Sequence, residues 1–300
     1  MSLNELSSVR RLNFAEASVR VAEGLLSFLI STSIFLAASG VLKLYLAFLL
    51  YGASPRINLL LATFLLIFSV YNLNKLTDFK EDEINNPERV RYVRRFYGIL
   101  KYSIGVSFVA AIILSIATSP WAVLVMLFPV ITGVLYSVRL SPSLPRLKDI
   151  TGVKNIIIAL TWANGTAFLP YLTTEAPLSA VALVYYYFFM KSIINTILFD
   201  VRDIEGDRLS GIRTIPVKLG VRKTRKLLLA LNTTLLAWLL TAFMLGYFDR
   251  YIPVLLFSIL NGYVYILYFT SRTNPGKLLD VWVDGEWFYT TPLAVLVTNI

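Results

Sequence analysis

The sequence contains no cysteine and no histidine, and only 15% of its 300 residues are charged. Without cysteine there are no thiol nucleophiles, disulfides or thiolate metal sites. Without histidine there is no imidazole base or ligand, which excludes Ser-His and Cys-His catalysis, haem ligation and the ordinary zinc sites. Chemistry is left to carboxylates, amides, phenols, cations and recruited metal ions, and cysteine usage says nothing of compartment. The shortage of charge excludes a water-soluble fold, because soluble proteins carry roughly 25% charged residues to cover their surface. Here 57% of residues are apolar and the mean hydropathy is +0.68. The chain reads as an all-α, polytopic membrane protein.

A span needs about 20 apolar residues. Segments 58–77, 98–118, 120–138, 152–171, 177–199, 225–247 and 251–270 meet that need. Stretch 22–52 is too long for one plain span and carries Gly40 and Lys43, which predicts a break or a long tilted tail there. Stretch 286–300 is short; with both ends the count is about nine spans. Residues 1–20 are polar and hold three arginines, so no cleavable signal is expected. With the N-terminus in the cytoplasm, basic residues number three before the first span, seven in 75–101, four in 139–154, eight in 202–226 and two in 272–277, together 24 of the 28. Three lie on the other side and Lys191 lies within a span. That asymmetry predicts a cell-membrane protein with a cytoplasmic N-terminus. It also assigns the net charge of +10 to topology, and no nucleic-acid partner is needed. Oligomeric state is not legible.

The 18 acids bunch: Asp78, Glu81, Asp82, Glu83 and Glu88 fall in one segment and Asp200, Asp203, Glu205 and Asp207 in another. Each follows a span, the second and the sixth, which hints at a four-helix unit used twice. Asn74, Asp78 and Asp82 are spaced i, i+4, i+8, and Asp200, Asp203 and Asp207 i, i+3, i+7, so each set shares one helix face. Carboxylates stacked on one face repel, and a hard divalent cation is the natural offset; Mg²⁺ takes a few carboxylates, waters and substrate phosphates. Two facing sets would hold two or more Mg²⁺ ions around a diphosphate. Solvated acids at helix ends are the plain alternative for either segment alone, but acids near the membrane are usually functional.

At these residues the sequence resembles the UbiA superfamily of intramembrane prenyltransferases. NKLTDFKED fits the family's first aspartate pattern at Asn74, Asp78 and Asp82, with Lys75 where many members carry aspartate. DVRDIEGDRLSGIRTIPVKLG resembles the second, and YSVRLSPSLPRLK a third loop with Tyr136, Arg146 and Lys148. The resemblance implies one transmembrane domain over 1–300, about nine helices around a central cavity open to lipid, and a prenyl diphosphate donor held by Mg²⁺ between the two motifs. It implies transfer to a lipophilic acceptor: an aromatic or quinone-precursor ring, or a glycerol phosphate ether lipid.

The residues then take roles. Asp78, Asp82, Asp203 and Asp207 are the expected catalytic ligands, with Asp200 and Asn74 beside them, and Lys75, Arg146, Lys148, Arg202 and Arg208 lie in loops suited to diphosphate oxygens. Breaking an allylic C–O bond also needs a dry, electron-rich cavity. The run Tyr185 to Phe189 either supplies cation–π attraction or packs. Asn72, Asn155, Asn164, Lys191 and Asn195 are buried polar candidates for the cavity wall, with interhelical hydrogen bonding as the alternative. Lys191 either reaches the cavity or pairs with an acid. Asp280, Asp284 and Glu286 have no evident role beyond an interfacial loop. A transporter using the acids as ion sites is the competing function, but its sites belong near the midplane on inverted repeats.

Overall fold

The computed structural model describes residues 18, 20–77, 87–137, 150–272 and 276–298. Every regular element among them is helical. In chain order these are α1 (Arg20–Ser31), α2 (Ile34–Leu50), α3 (Ile57–Thr77), α4 (Pro87–Ile116), α5 (Pro120–Ser137), α6 (Val153–Tyr171) and α7 (Leu178–Arg202). Two short helices follow, α8 (Ile204–Leu209) and α9 (Ile215–Leu219), then α10 (Val221–Met244), α11 (Ile252–Phe269), α12 (Leu278–Trp282) and α13 (Trp287–Thr298). Proline or glycine punctuates them where expected: Pro120 opens α5, Pro177 precedes α7, and Gly220 at φ 76° separates α9 from α10.

Among the described residues, five stretches are long and apolar enough to cross a membrane: Ile57–Leu76, Val90–Ile116, Leu178–Arg202, Val221–Met244 and Asp249–Phe269. The pair α1–α2, bent by 72°, makes a sixth. Three of the expected nine fall short of that length or apolarity. The apolar part of α5, Pro120–Gly133, is short; α6 carries Lys154, Asn155 and Asn164; and α13 has 12 residues. The first span breaks at Thr32–Ser33, with Ser33 at φ 62°, and not at Gly40 or Lys43, which lie inside a continuous α2. Gly40 serves another purpose: a Cβ there would strike Ile67 Cδ1 and the Trp162 ring, so glycine lets α3 and α6 close on α2.

Sequence neighbours pack as spatial neighbours, α2 on α3 through α6 on α7, then α7 on α10, α10 on α11 and α11 on α13. Contact of α13 with α2 closes the ring, and α2 also touches α6. Lipid is as apolar as leucine, so close packing rather than water exclusion holds such helices together. Fully buried Ala47, Ala62, Ala111, Ala122, Ala163 and Ala167 permit it. One end of the ring is plugged by Leu46, Tyr187, Phe188, Trp238, Tyr251 and their neighbours. The other end, where α3 and α7 finish, is left for polar groups.

Candidate active site

A cavity of about 420 Å³ occupies the ring, lined by α2, α3, α5, α6, α7 and the segment before α13. Its polar end is built where α7 stops. Asp203 sits between α7 and α8, yet Asp203 N still bonds Phe199 O at 3.0 Å and Asp207 N bonds Asp203 O at 2.9 Å. The turn thus stays near-helical and keeps the three aspartates together. Asp200 is buried and accepts from Lys154 Nζ at 3.1 Å and Asn155 Nδ2 at 2.7 Å. Asp203 receives Arg202 Nε and Nη2 at 2.8 and 3.1 Å, a two-pronged pair. Asp207 is buried off the cavity lining, and among the described residues its Oδ2 has no hydrogen-bond partner. Burial pushes its carboxyl up to about 6; Lys154 and the nearby Thr214 hydroxyl oppose this, and the charges of Asp200 and Asp203 add to it. An orphaned, buried carboxylate oxygen amid like charge is a donor suited to a hard cation such as Mg²⁺. Among the described residues no three acids form a complete metal cage. Asp78 and Asp82, the expected other half, lie outside the described residues, as do Arg146 and Lys148; the side chain of Tyr136 does too.

The remaining candidates separate. Asn74, Asn195, Arg202, Asp200, Asp203 and Lys75 line the cavity. Lys75 is also committed to the break in the first span: its Nζ donates to Ser31 O at 2.6 Å, Ser33 Oγ at 2.5 Å and Asn72 Oδ1 at 3.3 Å. Asn72 Nδ2 reaches Thr32 O at 3.0 Å. Carbonyls freed at a helix break have no water to turn to within a bilayer, and these two side chains satisfy them. Asn72 is therefore behind the wall rather than on it. Asn155 is likewise buried under Asp200, and Asn164 Oδ1 is buried away from the cavity lining with no partner among the described residues. Arg208 is exposed on α8, off the lining.

Lys43, expected only as a break signal, is a buried cation on the cavity wall. It lies 4.3 Å from the Trp162 ring and 5.1 Å from the Trp287 ring, and donates to Ser192 Oγ at 3.2 Å. Aromatic lining comes from Phe35, Tyr71, Trp162, Phe199 and Trp287. The 185–189 run is elsewhere: Tyr187 and Phe188 are fully buried in the plug, and Tyr186 bonds Thr234 at 2.8 Å. That run packs.

Residues 280–286 matter more than an interfacial loop would. Glu286 Oε1 pairs with Lys191 Nζ at 2.7 Å, so Lys191 finds an acid and does not line the cavity. Asp284 Oδ1 accepts from Asn195 at 2.8 Å, and Asp280 receives Arg202 Nη1 at 3.3 Å. Asp280 and Asp284 both face the cavity. Their i, i+4 spacing, the same as in the first motif, was the available signal.

The family model for the UbiA prenyltransferase family matches residues 24–283. Digeranylgeranylglyceryl phosphate synthase of Sulfolobus acidocaldarius is 29% identical over 238 residues, covering 75% of this chain and 81% of that protein. The synthase of the same name from Methanothermobacter thermautotrophicus is 32% identical over 190 residues, covering 62% of this chain and 64% of its own length, just under two thirds. Among solved structures, a UbiA homologue from Archaeoglobus fulgidus bound to GPP and Mg²⁺ superposes with a TM-score of 0.66 at 18% identity, covering 91% of this chain and 100% of that one. An apo UbiA homologue from Aeropyrum pernix K1 gives 0.66 at 14% identity, covering 88% and 98%. At such identities the structures speak for the fold alone. Matched over most of its length by the family model, the chain belongs to the UbiA prenyltransferase family.

Proposed function

We propose that this chain transfers a polyprenyl group, such as geranylgeranyl, from its diphosphate to the free hydroxyl of a glycerol phosphate ether lipid in the membrane. The observation that carries the reading is one cavity joining Asp200, Asp203, Lys154 and Arg202 at its polar end to an aromatic wall of Tyr71, Trp162 and Trp287. The names of the relatives supply the acceptor class. Mg²⁺, as two or more ions, would be held by Asp200, Asp203 and Asp207 with Asn74, Asp78 and Asp82 opposite, where it neutralises charge growing on the leaving diphosphate. Lys154 and Arg202 add cationic donors from the protein, with Arg146, Lys148 and Lys75 as further candidates. The aromatic wall excludes water from the allylic centre and presents π faces to its positive charge. The charge asymmetry of the loops supports a cytoplasmic N-terminus with both motifs on that side. Nine crossings in one domain, with a four-helix unit used twice, remain our reading of the apolar runs and of the spacing between the two acidic segments.

The test is incubation of purified protein with labelled geranylgeranyl diphosphate and Mg²⁺ beside two acceptors, geranylgeranylglyceryl phosphate and an aromatic acid. Transfer to the alcohol is expected, with EDTA abolishing donor binding while the fold persists. Asp203→Ala should lower kcat/KM about 100- to 1,000-fold. Metal-independent donor binding, or no diphosphate release with any acceptor, would refute the reading.

A further inference from the structure

Joining an alcohol to an allylic carbon frees a proton, and nothing in the aspartate motifs is suited to take it, because carboxylates bound to a cation are poor bases. Among the described residues the cavity contains one carboxylate outside those motifs with no cation on it. Of the three acids before α13, Glu286 is taken by Lys191 and Ser258, and Asp280 by Arg202. Asp284 faces the cavity and, among the described residues, its carboxylate has only the neutral Asn195 amide, on Oδ1. Its backbone is pinned as well, since Ser39 Oγ donates to Asp284 O. The group is thus oriented by two helices with its other oxygen open to the substrate space. It shares that space with Asn74, Asp200 and Asp203, where the diphosphate is read to sit.

We propose that Asp284 is the catalytic base that accepts the proton of the acceptor hydroxyl as the ether bond forms. The inference rests on the alcohol-acceptor reading above. The allylic C1–O bond breaks and its electron pair leaves on the diphosphate. A lone pair of the hydroxyl oxygen makes the new C1–O bond, the O–H pair returns to that oxygen, and the proton moves to the Asp284 carboxylate and then to water. Asp284 lies in the turn between α12 and α13, and its ionisation suits the task. Burial pushes its carboxyl up to about 7; Asn195 opposes the rise, Asp280 adds like charge, and Lys43 of α2 and Arg202 of α7 pull it down. Glu286, two residues further on, is neutralised by Lys191. A base is most effective when its pKa lies near the working pH.

The experiment compares wild type, Asp284→Asn and Asp284→Glu in full-length protein with geranylgeranyl diphosphate, Mg²⁺ and geranylgeranylglyceryl phosphate. Equilibrium binding of labelled donor is measured alongside turnover. Asp284→Asn is expected to keep donor binding and acceptor KM within about threefold while kcat falls about 100-fold or more, the usual worth of a general base. Asp284→Glu should restore much of that kcat. Wild-type kcat should rise with pH through about 7, and that limb should be absent in Asp284→Asn. A kcat in Asp284→Asn near that of wild type overturns the proposal. So does loss of donor binding in both variants, which would make Asp284 a structural residue. Wild type that prenylates only the aromatic acceptor overturns the alcohol reading and this base with it; the two failures are told apart by the wild-type arm alone.

Discussion

Replacing Glu286 by glutamine should be among the costliest conservative changes in the chain. Lys191 Nζ lies 2.7 Å from Glu286 Oε1, and both side chains are 2% exposed. The ammonium also donates to Tyr265 OH at 3.0 Å and Ser258 O at 3.2 Å, while Ser258 Oγ donates to Glu286 at 2.5 Å and meets Tyr187 OH at 2.7 Å. At an effective dielectric of about 20, unit charges at that separation attract by about 6 kcal/mol. Taking the two ions out of water costs several kcal/mol each, so the intact pair contributes little net stability. Breaking it is another matter. Glutamine leaves the ammonium buried with neutral partners only, at a cost of about 3–5 kcal/mol. For a protein of this size the melting temperature should fall on the order of 10 °C. The assay is thermal and denaturant unfolding in detergent of Glu286→Gln, Lys191→Met and the double variant Lys191→Met/Glu286→Leu. The double variant should lie within about 1–2 kcal/mol of wild type, because it buries no unpaired charge. A single glutamine costing less than about 1 kcal/mol, or a double variant as damaged as the sum of the singles, would refute the reasoning.

Two further outcomes follow from the site. Asp207 has a folded-state pKa of about 6, above its ordinary 3.8. Its protonated form is therefore favoured by folding; that benefit is full below about pH 4 and lost as pH rises through about 6. In EDTA, Asp207→Asn should stabilise the metal-free protein by on the order of 2 kcal/mol at pH 8 and not at pH 4, while abolishing Mg²⁺-dependent donor binding. Equal stability of the two proteins at pH 8 would contradict the burial argument. Gly40→Ala places a methyl against Ile67 Cδ1 and within 3.1–3.2 Å of the Trp162 ring. Overpacking of that kind costs about 1–3 kcal/mol. Displacing Trp162 also strains its 3.0 Å bond to Tyr71 OH, so donor KM should rise more than kcat falls; unchanged KM in steady-state assays would separate Gly40 from the cavity.

What could be read from the sequence followed from length and from scarcity. Apolar runs announced α3, α7, α10 and α11 because each is long and little interrupted, and the few acids pointed to the end of α7. The break at Thr32–Ser33 was hidden because its cause is remote: Lys75 and Asn72, some 40 residues on, make it tolerable. Gly40 looked like a breaker because local propensity counts glycine against a helix, whereas its neighbours α3 and α6 demand its small size. Asn155 and Lys191 stood out as costly in lipid, and their cost is met by Asp200 on the cavity wall and by Glu286 behind it. No periodicity could show that Lys43, a single charge in an apolar stretch, would lie between two tryptophan rings.

The C-terminal segment shows why polar pairs carry so much of the specification in such a protein. Along α7, residues 191, 195 and 202 meet 286, 284 and 280, an antiparallel ladder of three rungs. Eleven residues of helix span about 16 Å, so the rungs fix the short elements α12 and α13 in both register and depth. Apolar contacts would tolerate sliding by a turn, since lipid replaces a lost neighbour at little cost; a stranded charge would not. Two rungs are closed by an ion pair and one only by an amide. The incompletely satisfied rung is the middle one, open to the cavity, and the outer two hold it rigid. Fully paired polar groups build structure, and a carboxylate kept short of a partner retains the capacity to react.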